Sequence, residues 1–224
     1  MLVLQKIKPK NMKTNLSLLL IFLVLQINLK SQNIPDQVDL VNIENAKIID
    51  VDVQQFFASN ASYPQRAAVS EIEGNVVVSF IIRQDGQLDS IQIINNPNNI
   101  LAVGVLVAFE KSYGLWIPCK VNGNAIDKKY LGCFKYLMNN ASVLAENRSK
   151  GIKSLQKGEY EKSLKYINKA LTIDEYNPEL YQARANVYLK MNENELAQQD
   201  LAKFKELKDN LLIDVMFSIV GIKS

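Results

Sequence analysis

The chain has 224 residues, 48% of them hydrophobic, with two cysteines and no histidine. Without histidine it lacks the commonest general base and metal ligand, and two cysteines alone cannot close a structural zinc site. The formal charge of +3 is uneven: residues 1–31 hold five lysines and no acids, leaving 21 basic and 23 acidic residues after them. This near-neutral remainder gives nucleic-acid binding no electrostatic support. We therefore expect no enzymatic activity, metal, cofactor or small-molecule substrate.

The first segment has the pattern of an export signal. Lysines precede a run of about ten mostly apolar residues, 16–25 (LSLLLIFLVL). That run is shorter than the ~20 residues that a bilayer span needs, so we predict a cleaved signal peptide over 1–31. Met12 is an alternative start of this peptide. An uncleaved membrane anchor stays open as the second interpretation.

A polar linker is predicted over 32–45, followed by a helix. Three apolar side chains recur at helical spacing within residues 51–61: Val53, Phe56 and Phe57. The following Tyr63-Pro64 predicts the end of this helix, because the residue before a proline is disfavoured in the helical region.

A β-hairpin is the clearest local prediction. Apolar and polar residues alternate over 75–83 and again over 88–94, and Asp85-Gly86 lies between the two segments. Asp-Gly between alternating segments is a strong hairpin signal, because the tight turn needs positive φ. Gly74 suits the turn that enters the first strand.

The remaining elements of this region complete a small domain over 46–137. An almost entirely apolar helix is predicted over 100–112, and Trp116 and Pro118 follow it. A last strand is predicted over 126–137. The order helix, hairpin, helix, strand is typical of an α+β domain with a small antiparallel sheet.

Several of these residues form an ordered set: Tyr63-Pro64, Ala67, Ile72, Gly74, Val76, Val78, Phe80, Asp85-Gly86, Trp116, Pro118 and Gly123. The set resembles the signature of the TonB C-terminal domain family, over about 51–137. The resemblance implies a periplasmic protein of the Gram-negative envelope. It also implies that an extended segment of an outer-membrane transporter or a periplasmic protein docks on an exposed sheet edge by strand addition.

On these positions the resemblance implies that the docking edge is the last strand, 126–136. The partner-binding residues would be Tyr63, Pro64, Lys128, Tyr130, Gly132 and Phe134, and the structural residues would be Gly74, Asp85, Gly86, Trp116 and Pro118. Packing in the core is the alternative role of Tyr63. The family's energy transducers carry a membrane anchor with a histidine and a long proline-rich linker. This chain has no histidine and only Pro35 between the apolar run and Tyr63. We therefore favour a docking module, with an inner-membrane-anchored energy transducer as the alternative.

The two cysteines have two interpretations. Cys119 and Cys133 would close a short loop if they formed a disulfide, which export to an oxidising compartment permits. Alternatively both are buried thiols that pack as small apolar residues. The sequence leaves both open.

The last third of the chain has a different composition and an internal repeat. Equivalent small residues recur 34 positions apart, as at Gly151 and Ala185 and at Ser163 and Ala197. This resembles two tetratricopeptide repeats, predicted over 142–208 as four helices, which implies an all-α protein-binding module. A spacer or a dimer contact is the alternative role of this module. The apolar residues that follow have helical spacing, so we predict a capping helix over 209–224. Together the two modules predict an envelope adaptor.

Overall fold

The computed structural model describes residues 41–219, so the predicted signal peptide (1–31) and residues 32–40 of the predicted linker lie outside the described residues. The helices, in chain order, are α1 (Val53–Asn60), α2 (Gln65–Val69), α3 (Asn99–Lys111), α4 (Asn140–Gln156), α5 (Tyr160–Leu171), α6 (Pro178–Lys190) and α7 (Asn194–Asn210). The strands are β1 (Ile43–Glu44), β2 (Lys47–Ile48), β3 (Gly74–Ile82), β4 (Leu88–Asn95), β5 (Trp116–Ile117), β6 (Lys120–Val121), β7 (Asn124–Ala125), β8 (Lys128–Leu137) and β9 (Leu211–Ser218). None of these helices is long and apolar enough to cross a membrane.

The predicted hairpin is confirmed by β3 and β4, and its turn explains the Asp-Gly pair. The Asp85 carboxylate accepts a hydrogen bond from the Gln87 backbone N–H at 2.9 Å. Gly86 has φ of +84°, and a Cβ there would lie only 2.6 Å from the carbonyl oxygen of Trp116. Both the positive φ and the close approach therefore require glycine.

The main sheet has four strands in the order β4-β3-β8-β9. The strand β3 pairs antiparallel with β4 and β8, whereas β9 pairs parallel with β8. The β8–β9 register runs from Leu131 opposite Leu211 to Leu137 opposite Ser218. A mixed sheet results, because the fourth strand arrives after the helices α4–α7. Two small sheets lie beside it, in which β1 pairs with β6, β6 with β7, and β2 with β5.

The predicted C-terminal capping helix is wrong for residues 211–218, which form β9. The apolar residues of this segment fit helical spacing, but Ile213, Val215 and Phe217 also alternate as a strand requires. A short apolar run is ambiguous between the two periods. The β8 edge decides the outcome, since it offers unpaired backbone groups and a core face that buries Ile213 and Val215.

One face of the sheet packs against α1 and α3 around a cluster of aromatic rings. The ring centroids of Phe57 and Phe109 are 4.9 Å apart, and those of Phe80 and Phe109 are 5.0 Å apart. Edge-on and tilted contacts of this kind add to the hydrophobic stabilisation of a core. The other side of α3 is not covered by this domain, and Val103 on it is 62% exposed.

The helices α4–α7 form two helical hairpins beside the other face of the sheet. The first hairpin packs closely at Gly151, where a Cβ would lie 2.8 Å from Cγ1 of Ile167. The Ser163 hydroxyl also donates to the Gly151 carbonyl at 2.8 Å. The loop between α5 and α6 contacts the sheet, since the Asn75 amide donates to the Ile173 carbonyl at 3.0 Å. The tetratricopeptide resemblance of these helices stays a prediction.

Candidate functional site

The candidate site is the edge of β8 that faces away from β3, where the sequence predicts an exposed docking strand. The structure corrects that prediction, because β9 covers this edge from Leu131 to Leu137. At its end the Ile219 N–H donates to the Leu137 carbonyl at 3.2 Å. Every second residue of a strand points its backbone N–H and C=O to the same side. Cys133 and Lys135, like Leu137, therefore point theirs towards β9. This edge of β8 thus pairs with an added strand, and that strand is β9 of the same chain.

The side chains of β9 fill the same core as the α1 and α3 helices. Ile213 and Val215 are buried in that core. Phe217 stacks on Tyr136, with ring centroids 5.0 Å apart and planes 16° apart. Tyr63 meets Tyr136 edge-on at 5.2 Å, so this predicted site residue reaches the docked strand through one intervening ring.

Tyr63 and Pro64 are held by the loop that leads into β3. The Tyr63 hydroxyl donates to the Ile72 carbonyl at 2.7 Å. Burial, together with the nearby Glu73 carboxylate, raises the pKa of Tyr63. Pro64 occupies the N-cap position of α2. Both residues therefore shape the end of the site rather than offering free side chains.

Two of the predicted partner-binding side chains, Tyr130 and Phe134, are core residues. Both are buried, and the Tyr130 hydroxyl accepts a hydrogen bond from the Ala46 N–H at 3.0 Å. Burial is the main cause that raises the pKa of Tyr130. These side chains point into the domain, and Phe134 shares its core with Ile213 and Val215 of β9.

The other two predicted residues lie at the edge itself. A Cβ on Gly132 would come within 3.3 Å of Cδ1 of Ile213, so glycine leaves room for the added strand. Lys128 precedes the segment that β9 covers. Its ammonium donates to the Asn45 side chain at 2.9 Å and lies 4.9 Å from the ring centroid of Tyr130.

Lys135 is a residue of this site that the sequence interpretation missed. Its side chain is 3% exposed, and its ammonium lies 2.9 Å from Asp174 in the α5–α6 loop and 2.7 Å from Asp214 in β9. Burial lowers the pKa of Lys135, but the two carboxylates outweigh it and raise the pKa above its ordinary value. One buried cation therefore joins the sheet, the helical module and the added strand. The only signal in the sequence is a lysine within an otherwise apolar half of β8.

The outer edge of β9 is capped by a side chain from α1. The Gln54 amide donates to the Leu212 carbonyl at 2.7 Å and accepts from the Asp214 N–H, also at 2.7 Å. These are the bonds that a neighbouring strand would otherwise make. The first half of β9 is therefore closed to a fifth strand, whereas Met216 further along is 47% exposed.

The residues predicted to be structural lie where the hairpin meets its surroundings. Gly74 opens β3 against the ring of Pro97. The Trp116 indole is buried and donates to the Ser112 hydroxyl at 3.0 Å. Pro118 lies beside the Gly86 turn, 3.9 Å from the Cβ position of Gly86.

Cys119 and Cys133 are both free and buried. Cys119 belongs to the core on the α1 and α3 side of the sheet. Cys133 is influenced instead by Lys135, Asp214 and Asp174, and burial raises its thiol pKa. The two thiols thus lie in different surroundings.

A second concave surface lies on the helical module. It is a groove of about 570 Å³ whose lining includes Ala141, Leu144, Arg148, Ile152, Lys153 and Met216. More than half of its lining residues are apolar, and the two charged residues among the described ones that line it are both cations. It adjoins the exposed half of β9 through Met216.

The segment that carries β3, β4 and β8 has relatives among known proteins. Residues 59–137 match the family model described as Gram-negative bacterial TonB protein C-terminal. The NMR solution structure of the Helicobacter pylori TonB C-terminal domain is 27% identical, covers 37% of this chain and 75% of its own, and gives a TM-score of 0.30. No curated protein sequence matches the chain. Residues 59–137 are therefore similar to the C-terminal domain of Gram-negative TonB proteins.

Proposed function

We propose that the chain is a non-enzymatic adaptor of the Gram-negative envelope, which binds a protein partner by taking up an extended segment as a strand on the β8 edge. The match of residues 59–137 to the TonB C-terminal model supports a periplasmic, protein-binding role. The observation that carries strand addition is the pairing of β8 with β9, a segment from outside the matched residues.

The physical basis of this binding is the row of backbone groups along β8. Main-chain hydrogen bonds supply affinity to an added strand, and alternate side chains supply selectivity. An edge that pairs with residues 211–218 in parallel has the geometry to pair with another chain.

The helical module provides the second binding surface of this adaptor. Its groove contains Arg148 and Lys153 among apolar side chains, and no carboxylate of residues 41–219 lines it. Charge complementarity therefore favours a partner segment with apolar and acidic side chains.

Site-specific photo-crosslinking in envelope extracts tests the adaptor. A photoreactive residue replaces Lys128 at the β8 edge, and the control replaces Lys169, an exposed lysine of α5. We expect position 128 to crosslink to an envelope protein, with the crosslinked sites confined to one continuous segment of that protein. Position 169 should give no such adduct. Adducts only from position 169, or from neither position, would refute strand addition at this edge.

A further inference from the structure

The main sheet has three strand edges on which a further strand could pair, and two of them are protected. The outer edge of β4 is irregular, with Ser90 at φ of +51° and two register shifts against β3. Bulges of this kind discourage pairing with another strand. The outer edge of β9 is closed by Gln54 at Leu212 and Asp214. The β8 edge is regular over most of its length, and β9 occupies it.

We propose that β9 is a built-in competitor for the β8 edge, so that a partner segment binds by replacing β9 rather than by pairing beside it. This inference rests on the proposed function, because it assumes that partners bind as an added strand. It also defines the chemistry of the segment that the site accepts.

The accepted segment follows from what β9 presents to the site. Ile213 and Val215 enter the core, and Phe217 stacks on Tyr136. Between them Asp214 places a carboxylate 2.7 Å from the Lys135 ammonium. The site therefore selects an extended segment with aliphatic or aromatic side chains at alternate positions and an acid that faces Lys135.

Replacement of β9 is feasible because a partner strand would make contacts similar to those that β9 loses. Only Ile213 and Val215 of β9 are buried, and a partner of the same pattern restores what their release exposes. A partner segment must compete with a strand of the same chain, and β9 has a high effective concentration at the β8 edge because it follows α7 directly. A segment that binds the free edge well thus shows a weaker apparent affinity, reduced by the fraction of molecules in which β9 is released.

The test uses the full chain and a fluorescent peptide with the sequence of residues 211–218, LLIDVMFS, followed by anisotropy. Phe217→Ala removes the stack on Tyr136 and loosens β9, whereas Ser218→Ala is the matched control, since Ser218 is the exposed neighbour of Phe217 in β9. We expect Phe217→Ala to bind the peptide about threefold to tenfold more tightly than wild type, as loss of an aromatic pair implies. Ser218→Ala should bind the peptide like wild type.

A reversible disulfide that fixes β9 to β8 provides the opposite perturbation. Asp214 lies opposite Cys133 in the β8–β9 register, so Asp214→Cys places two thiols on neighbouring strands. Oxidation of this variant, verified by thiol counting, should lower peptide affinity at least tenfold, and reduction of the same sample should restore it. A second peptide, LLIKVMFS, should bind the Phe217→Ala chain at least tenfold more weakly than LLIDVMFS, because its lysine meets Lys135.

The outcomes separate this inference from the proposed function. Equal peptide affinity for wild type, the Phe217→Ala variant and the oxidised Asp214→Cys variant would overturn the replacement of β9. The peptide would then bind at another surface of the chain. Failure of the peptide to bind any form, the Phe217→Ala chain included, would overturn strand addition itself. Loss of peptide binding in the oxidised Asp214→Cys chain alone, together with tighter binding to the Phe217→Ala chain, supports both strand addition and the replacement of β9.

Discussion

The buried lysine of β8 should contribute more to stability than any exposed ion pair of the described residues. Lys135→Met removes the cation and leaves the Asp174 carboxylate, 1% exposed, with one remaining side-chain donor, the Asn177 amide at 2.9 Å. The other Asp174 oxygen is buried without a hydrogen-bond partner among the described residues. Removing one member of a buried ion pair costs about 3–5 kcal/mol, so we expect a loss of that size.

Two matched variants identify the source of this loss. Asp214→Asn should cost less than Lys135→Met, because the Asp214 side chain is 39% exposed, against 1% for Asp174, and Lys135 keeps its ion pair with Asp174. Lys135→Met combined with Asp174→Asn should recover most of the loss, because no unpaired charge stays buried. With Asp174→Asn measured alone as well, the interaction energy of Lys135 with Asp174 is the deviation of the double variant from the sum of the Lys135→Met and Asp174→Asn variants.

The assay is urea unfolding at neutral pH with two spectroscopic probes. Because the folded-state pKa of Lys135 is raised, its contribution is complete below the ordinary lysine value of 10.5 and is lost as the pH rises through the raised pKa. A destabilisation below about 1 kcal/mol for Lys135→Met, or additive effects in the double variant, would refute this reasoning.

Three further outcomes follow from the packing, the charges and the thiols. Gly151→Ala should destabilise the chain by about 1–3 kcal/mol in urea unfolding, because its Cβ meets Ile167, although alanine favours a helix; no loss would contradict this contact. Arg83→Met should raise the pKa values of Asp89 and Asp127 in an NMR titration, because hydrogen bonds from Arg83 lower both; unchanged values would contradict that assignment. In a non-reducing buffer the native chain should show no reactive thiol, and the denatured chain two; fewer than two on denaturation would indicate a disulfide.

The sequence predicts the local elements of the first domain well, because their signals are local. The Asp85-Gly86 turn between alternating segments predicts β3 and β4, and both strands are present. The spacing of the apolar residues in 51–61 predicts α1, which the structure has over Val53–Asn60. The resemblance to the TonB C-terminal domain is confirmed over residues 59–137.

The residues that occupy the candidate site could not be predicted from local patterns, because they come from segments far apart in the sequence. The pairing of β8 with β9 joins segments about 80 positions apart, and the Lys135 ion pairs join β8 to two other elements. Residues 211–218 fit both a helix and a strand by period alone. Only the unpaired β8 edge decides between them, and neither segment carries that information by itself.

The most direct test of the account is amide hydrogen exchange of the full chain with and without saturating LLIDVMFS peptide. In the free chain the amides of Ile213 and Val215 should be protected, because they face β8. With the peptide bound, these two amides should lose protection, while the amides of Cys133 and Lys135 keep it through bonds to the peptide. Protection of Ile213 and Val215 that persists with the peptide bound would contradict the claim that partners replace β9.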